Sequence, residues 1–182
     1  RTPVTVKLRS GVRVGENGAV ELARRLEQVG VAGLTVHPRA AEQFYRGRAD
    51  HRVTAEVAGA VSIPVVASGD VRSVQSAAEV VQRTGAVATM VARGVLGDPW
   101  LVGALLRGAE RGRPPLAKVV QDMDSLLGLA AQEMGSARAA QWLRKFLTWY
   151  LRPSRVPAVV IEDLRRLTDA ESLSAGLRAL AG

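Results

Sequence analysis

At four places in the sequence an apolar run of strand length ends in polar or cationic groups. Residues 4–8 carry Lys7 and lead into Arg9-Ser10-Gly11; residues 33–37 end on His37, with Arg39 just beyond. Residues 63–68 lead into Ser68-Gly69-Asp70, and residues 86–92 into Ala92-Arg93-Gly94, then Gly97-Asp98-Pro99-Trp100. In parallel α/β architectures ligands collect at the carboxyl ends of the strands. Gly69 and Gly94 let backbone N–H groups approach an anion, and a following helix N-terminus adds its dipole. Arg93 adds a charge-assisted pair. The group these residues suit is a phosphate. Each glycine taken singly reads equally as a tight turn; their recurrence at matching strand ends favours a site. Lys7 lies inside an apolar run, where an unpaired charge is costly, so it is expected to point toward that site. Asp70 either caps the helix that follows or lines the ligand.

The elements that must position these residues follow from the pattern between them. The runs are Val-rich and do not alternate, as expected of parallel strands buried on both faces. Ala19, Leu22, Ala23, Leu26 and Val29 mark one face of a helix that Gly30 should end. Val74, Ala77, Ala78 and Val81 mark a second, ending near Gly85, and residues 53–58 a shorter third. The order β-α-β-α-β-α-β implies right-handed crossovers in a parallel sheet. A doubly wound sheet and a (β/α)8 barrel share it; four units make half a barrel.

Residues 111–115, Arg-Gly-Arg-Pro-Pro, read as a linker, dividing an α/β part (1–110) from an all-α part (111–182). In the second part residues 116–134 form a helix. Ser136 can cap another running to about residue 151, which Pro153 and Pro157 break. Shorter helices follow over 158–167 and 168–180, completing a small helical bundle.

Formal net charge is +8, with 25 basic residues of which three are lysine. This balance suits a polyanion such as RNA, or else a solvated Arg-rich surface. On one helix at ~100° per residue, Arg138, Trp142, Lys145, Trp149 and Arg152 fall in a stripe, Arg144 lies to one side, and Leu143, Leu147, Tyr150 and Leu151 lie opposite. Cations alternating with large aromatics suit phosphate pairing and base stacking; the tryptophans equally suit core packing. Arg39 and Arg46 are expected at the cavity mouth, where a flipped base would enter, with Tyr45 placed to stack there. The absence of cysteine excludes disulfides and thiolate chemistry within these residues and points to the cytoplasm. No apolar run approaches the ~18 residues of a membrane span. The opening at Arg1, without Met, is expected of a piece cut from a longer protein.

These strings together resemble the tRNA-dihydrouridine synthase family. Pro3-Val4-Thr5-Val6-Lys7-Leu8-Arg9-Ser10-Gly11 is similar to its P-V-T-V-K-I-R-x-G, and Leu34-Thr35-Val36-His37-Pro38-Arg39 to L-T-I-H-G-R. Gln43-Phe44-Tyr45-Arg46-Gly47-Arg48-Ala49-Asp50 is similar to Q-x-Y-x-G-x-A-D, and Ile63-Pro64-Val65-Val66-Ala67-Ser68-Gly69-Asp70 to I-P-V-I-A-N-G-D. Met90-Val91-Ala92-Arg93-Gly94 through Trp100 resembles M-I-G-R-x-x-x-G-x-P-W, and Arg144-Lys145-Phe146-Leu147-Thr148-Trp149-Tyr150 resembles R-K-H-x-x-W-Y.

The resemblance implies an FMN-binding barrel followed by a helical RNA-binding domain. It implies hydride transfer from reduced FMN to a uracil of tRNA, protonation by a cysteine, and reloading of the flavin by NADPH. It implies that Lys7 and His37 contact FMN, and that Ser68, Gly69, Asp70, Ala92 and Arg93 line its phosphate end. Ser68 replaces the usual Asn, Ala92 and Pro38 each replace Gly, Phe146 replaces His, and His51 stands where an aromatic is common. The catalytic cysteine and the flavin-ring contacts belong to a barrel half not in this sequence, so this chain alone is expected not to reduce uridine. Its edge strands are expected to take a missing barrel half or to self-associate. Two alternatives remain: another phosphate-binding barrel enzyme, and a non-catalytic RNA-binding protein.

Overall fold

The computed structural model describes residues 2–109 and 112–182. The expectations that touch Arg1, the boundary at 110/111 and the first linker residue lie outside the described residues. The described residues group into two compact units. One runs to Val95 and resumes at Trp100; the other takes Leu96–Pro99 and everything from Gly112 onward.

The first unit alternates strand and helix. Its elements are β1 (Thr5–Arg9), α1 (Ala19–Gln28), β2 (Gly33–His37), α2 (His51–Ala60), β3 (Val65–Ser68), α3 (Val74–Thr84), β4 (Ala88–Met90) and α4 (Leu101–Arg107). The strands form one parallel sheet in the order β1-β2-β3-β4. A doubly wound sheet reverses its strand order partway; this one does not. Consecutive right-handed crossovers place every helix on the same face, and α1 packs on α2, α2 on α3 and α3 on α4. This is the arrangement of successive barrel strands, consistent with a partial barrel.

The register sets Arg9 beside His37, Val36 beside Ala67, and Ser68 beside Met90. The period of two then separates the sheet faces. Leu8, Leu34, Val36, Val65 and Ala67 are buried, the first four with Ala19, Ala23 and Val57 of the helices. Lys7, Arg9, His37 and Ser68 occupy the opposite face. Burial of every strand on both faces is therefore overturned: in β1 only Leu8 is fully buried and in β4 no residue is. The inner strands β2 and β3 stay largely buried, His37 and Ser68 included, whereas β1 and β4 each have a single strand neighbour among the described residues. Leu22 and Val29 are likewise exposed rather than part of the helical core face. β3 begins after Pro64, which has no N–H to give the ladder, though its carbonyl still accepts from Leu34.

The second unit contains α5 (Leu116–Met134), α6 (Ser136–Leu143), α7 (Leu147–Leu151), α8 (Ala158–Arg166) and α9 (Ala170–Arg178). Its core is Val119, Met123, Leu127, Ala139, Leu143, Leu147, Leu151, Ile161, Leu173 and Leu177. The single helix expected over 136–151 is broken. Lys145 and Phe146 donate to carbonyls three residues back, at 3.3 and 2.9 Å, so the chain tightens by a turn of 3₁₀ type. Ser136 is not the cap; its hydroxyl instead accepts the N–H of Ala170 at 2.8 Å, holding the start of α9. Gly97 is buried with φ +76, and a Cβ there would lie 1.9 Å from the Trp149 carbonyl oxygen. Only glycine allows that approach. Among the described residues no helix is long and apolar enough to cross a membrane.

Candidate functional site

A cavity of about 260 Å³ opens at the carboxyl ends of the strands. Each strand end supplies part of it: Lys7 and Arg9 from β1, His37 and Arg39 from β2 and its exit, Ser68 to Arg72 from the end of β3 onward, and Met90, Ala92, Arg93 and Gly94 from the end of β4 onward. Tyr45 completes the rim. All seven residues expected to hold the cofactor – Lys7, His37, Ser68, Gly69, Asp70, Ala92 and Arg93 – border this one space. So do Arg9 and Arg72, giving five cationic side chains with Lys7, Arg39 and Arg93 against the single carboxylate of Asp70. Such an excess of positive charge suits an anion.

The turn after β3 forms one wall. Gly69 has φ +116, and a Cβ on it would lie 2.9 Å from Ala49 Cβ and 3.1 Å from His37 Nδ1. Asp70 follows at φ +57, in the left-handed region. Gly94 is equally constrained, because a Cβ would lie 2.1 Å from the Val71 carbonyl oxygen. Glycine is required at both positions by close packing against neighbouring chain, not by turn geometry alone.

Two assignments to this region are corrected. Arg39 does not present its charge to a partner at the surface. It is 2% exposed, its Nη2 donates to both oxygens of Asp70 at 2.8 Å and to the Gly47 carbonyl at 2.9 Å, and among the described residues its Nη1 is buried without a partner. Asp70 does not cap α3. Its carboxylate takes Arg39 and the Ala49 N–H, while Ser73 caps the helix by accepting from Ser76. The tie spans residues 39 and 70, so no local spacing reveals it. Tyr45, in contrast, is exposed and carries the Arg93 guanidinium 4.3 Å from its ring centroid.

The cavity also shapes the ionisation of its lining. Burial, then the charge of Arg9, lowers Lys7 from its ordinary value. Burial also lowers His37, assisted by Lys7, Arg9 and Arg39 and opposed by its bond to Ser68. At neutral pH His37 is thus predominantly the uncharged imidazole. Burial alone would raise Asp70, but hydrogen bonds from Arg39 and Ala49 and the Arg39 charge hold it below the usual carboxylate range.

In the second unit the aromatic-cationic stripe does not survive as a stripe. The break after Leu143 takes Trp149 and Arg152 out of helical phase with Arg138 and Trp142. Trp142 is half-buried, meets Phe146 edge-on at 5.2 Å, and helps line an apolar cavity with Met123, Leu126 and Tyr150; it is packed rather than free to stack. Arg144 donates to the Arg165 carbonyl at 2.8 Å, bonding to the end of α8, so it is an internal tie rather than a free phosphate contact. Arg138, Lys145 and Arg152 are exposed, and Trp149 is half-exposed.

Reasoning from sequence missed His51 and Arg72. Arg72 lies two residues past Asp70 and was legible as a cation near a strand end. His51 meets Gly69 only through the tertiary fold.

A family model described as "Dihydrouridine synthase (Dus)" matches residues 1–180. A probable tRNA-dihydrouridine synthase of Rhizobium leguminosarum bv. phaseoli is 38% identical over 149 residues, covering 82% of this chain and 46% of that protein. A probable tRNA-dihydrouridine synthase of Rhodobacter capsulatus is 34% identical over 185 residues, covering 97% and 55%. The tRNA-dihydrouridine synthase B of Xanthomonas axonopodis pv. citri is 37% identical over 156 residues, covering 82% and 46%. The chain spans about half the length of the curated relatives it matches. With a family match along nearly its whole length, this chain belongs to the dihydrouridine synthase family.

Proposed function

We propose that this chain is part of a flavin-dependent tRNA-dihydrouridine synthase. In this reading residues 1–110 are the C-terminal half of a (β/α)8 barrel, residues 111–182 are a helical RNA-binding domain, and the strand-end cavity takes the phosphate end of FMN. The observation that carries the reading is the cationic cavity, built by four consecutive parallel strand ends, in a chain whose relatives are named for making dihydrouridine in tRNA.

The donor set fits a phosphate. Five cations meet one carboxylate, which Arg39 already neutralises, and among the described residues the buried Nη1 of Arg39 has no partner. Arg93, 4.3 Å from the Tyr45 ring centroid, brings a guanidinium suited to a charge-assisted pair. Lys7 and His37 contact the flavin. Ser68, Gly69, Ala92 and Arg93 line the phosphate end, and Asp70 serves there by holding Arg39. When bound, FMN supplies hydride transfer to uridine and is itself reduced by NADPH. Tyr45, Arg138, Lys145 and Arg152 contact tRNA. No cysteine occurs in these residues, so the proton donor comes from outside them and the chain alone does not reduce uridine. Among the described residues β1 and β4 each pair on one side only; these open ladders take a further barrel half or a second copy.

Titration with FMN and with riboflavin, followed by flavin fluorescence, tests the cofactor reading. FMN should bind more tightly, by about tenfold or more, the contribution of a charge-assisted phosphate pair. Equal affinity would remove the phosphate site. tRNA binding at two salt concentrations tests the second unit, and its absence at low salt would remove the RNA reading. tRNA binding without preference for FMN would favour a non-catalytic RNA-binding protein.

A further inference from the structure

We propose that the two histidines of this chain clamp the turn that walls the cavity, and that His51 is a positioning residue for it. The inference rests on reading the cavity as an anion site. The sequence has just two histidines, and they engage successive carbonyls. His37 Nδ1 lies 3.3 Å from the Ser68 carbonyl oxygen, and His51 Nε2 lies 3.1 Å from that of Gly69.

A carbonyl only accepts, so each of these ring nitrogens carries the proton. A neutral imidazole has one N–H, which fixes His37 as the Nδ1–H tautomer and His51 as the Nε2–H tautomer. The turn itself is not one the chain adopts freely. Gly69 and Asp70 have successive positive φ values of +116 and +57, and a Cβ on Gly69 would collide with Ala49 and crowd the His37 ring. Each peptide unit is planar and trans, so its N–H points opposite to its carbonyl. Holding the Ser68 and Gly69 carbonyls therefore fixes the directions of the Gly69 and Asp70 N–H groups, in residues that line the cavity. Successive backbone N–H groups of this kind form anion-binding concavities.

His51, the first residue of α2, reaches this turn through its Nε2. Among the described residues its Nδ1 is buried without a partner, so the Gly69 bond is what its ring polarity serves. Arg39 and the Ala49 N–H hold the Asp70 side chain beside it. The turn is thus fixed through two carbonyls and one carboxylate.

The test begins with the 182-residue chain labelled with 15N in its histidines. Long-range ring correlations should show opposite tautomers, Nδ1–H for His37 and Nε2–H for His51. A ring of His51 averaging between tautomers, or holding Nδ1–H, would overturn the clamp. FMN and riboflavin are then titrated into the wild type, His51→Phe and His51→Gln. His51→Phe keeps the ring without the donor; His51→Gln places an N–H near the position of Nε2. His51→Phe should lose about tenfold in FMN affinity, as for one buried hydrogen bond, with riboflavin unchanged. His51→Gln should return to within about threefold of wild type. Equal losses for both flavins would mean a merely structural residue, and unchanged FMN affinity in His51→Phe would overturn the positioning role. If His51→Phe does not fold, the tautomers and the His51→Gln affinity decide. A wild type that binds no FMN but shows the two tautomers removes the cofactor reading and leaves the clamp.

Discussion

Nη2 of Arg39 donates to both carboxylate oxygens of Asp70 at 2.8 Å, joining the exit of β2 to the turn after β3. The arginine is 2% exposed and the aspartate 31%. Removing one partner of such a pair leaves a desolvated charge without compensation. Asp70→Ala should therefore destabilise the chain by about 2–3 kcal/mol, less than the ~3–5 of a fully buried pair because water reaches Asp70. Arg39→Met combined with Asp70→Ala should cost less than the sum of the single changes. Urea unfolding of the four proteins measures the coupling; additive losses would show the pair contributes nothing as a pair.

The same pair gives an acid dependence. The folded-state pKa of Asp70 lies below its ordinary 3.8, so its contribution is complete above that value and is lost as pH falls through the folded pKa. Unfolding midpoints measured downward from pH 5 should fall in the wild type and fall less in Asp70→Asn.

The histidines act at higher pH. Burial is the first cause lowering both His37 and His51 from 6.5, with Arg39 contributing to each. The unfolded chain then binds protons that the folded chain refuses, so stability is complete above about 6.5 and declines as pH drops toward the folded values. Between pH 7.5 and 5.5 the wild-type midpoint should fall, while His51→Gln should show a shallower slope. Identical slopes would assign the loss to other groups.

Glycines separate into required and dispensable. A Cβ at Gly94 would meet the Val71 carbonyl oxygen at 2.1 Å, and backbone cannot yield as a side-chain tip does. Gly94→Ala should cost about 1–3 kcal/mol or more. Gly128, within α5 and with nothing within 4 Å, should behave oppositely. Gly128→Ala should stabilise by about 0.5–1 kcal/mol through helix propensity. Thermal unfolding of both variants checks the two signs.

The cations of the helical unit also separate. Arg138→Ala, Lys145→Ala and Arg152→Ala remove exposed charges. Each should weaken tRNA binding and reduce the logarithmic salt slope by about 1 if it meets a phosphate. Arg144→Ala breaks the bond to the Arg165 carbonyl and should instead lower the unfolding midpoint, leaving the salt slope unchanged. Filter binding across a salt series, paired with thermal melts, distinguishes the two classes.

Much of this was written locally. Val-rich runs ending at His37, Ser68 and Met90 announce parallel strands, and polar residues behind them announce a ligand end, because strand direction and the period of two decide which side chains can meet. Lys7, His37, Ser68 and Arg93 were legible for that reason. What sequence could not supply were contacts between distant loops. That Arg39 closes on Asp70 instead of facing solvent, and that His51 reaches the Gly69 carbonyl, depends on strand register, which sets β2 against β3 at Val36 and Ala67. The break after Leu143 was equally hidden, since helical periodicity continues smoothly through residues 144–146 and Leu143 and Leu147, four apart, share one helical face. The sequence by itself determined the strand and helix alternation of the first unit and the charge of the residues at its strand ends. Only the tertiary structure decided which of those charges are committed to holding the turn, because a buried charge is committed by the partner the fold brings to it.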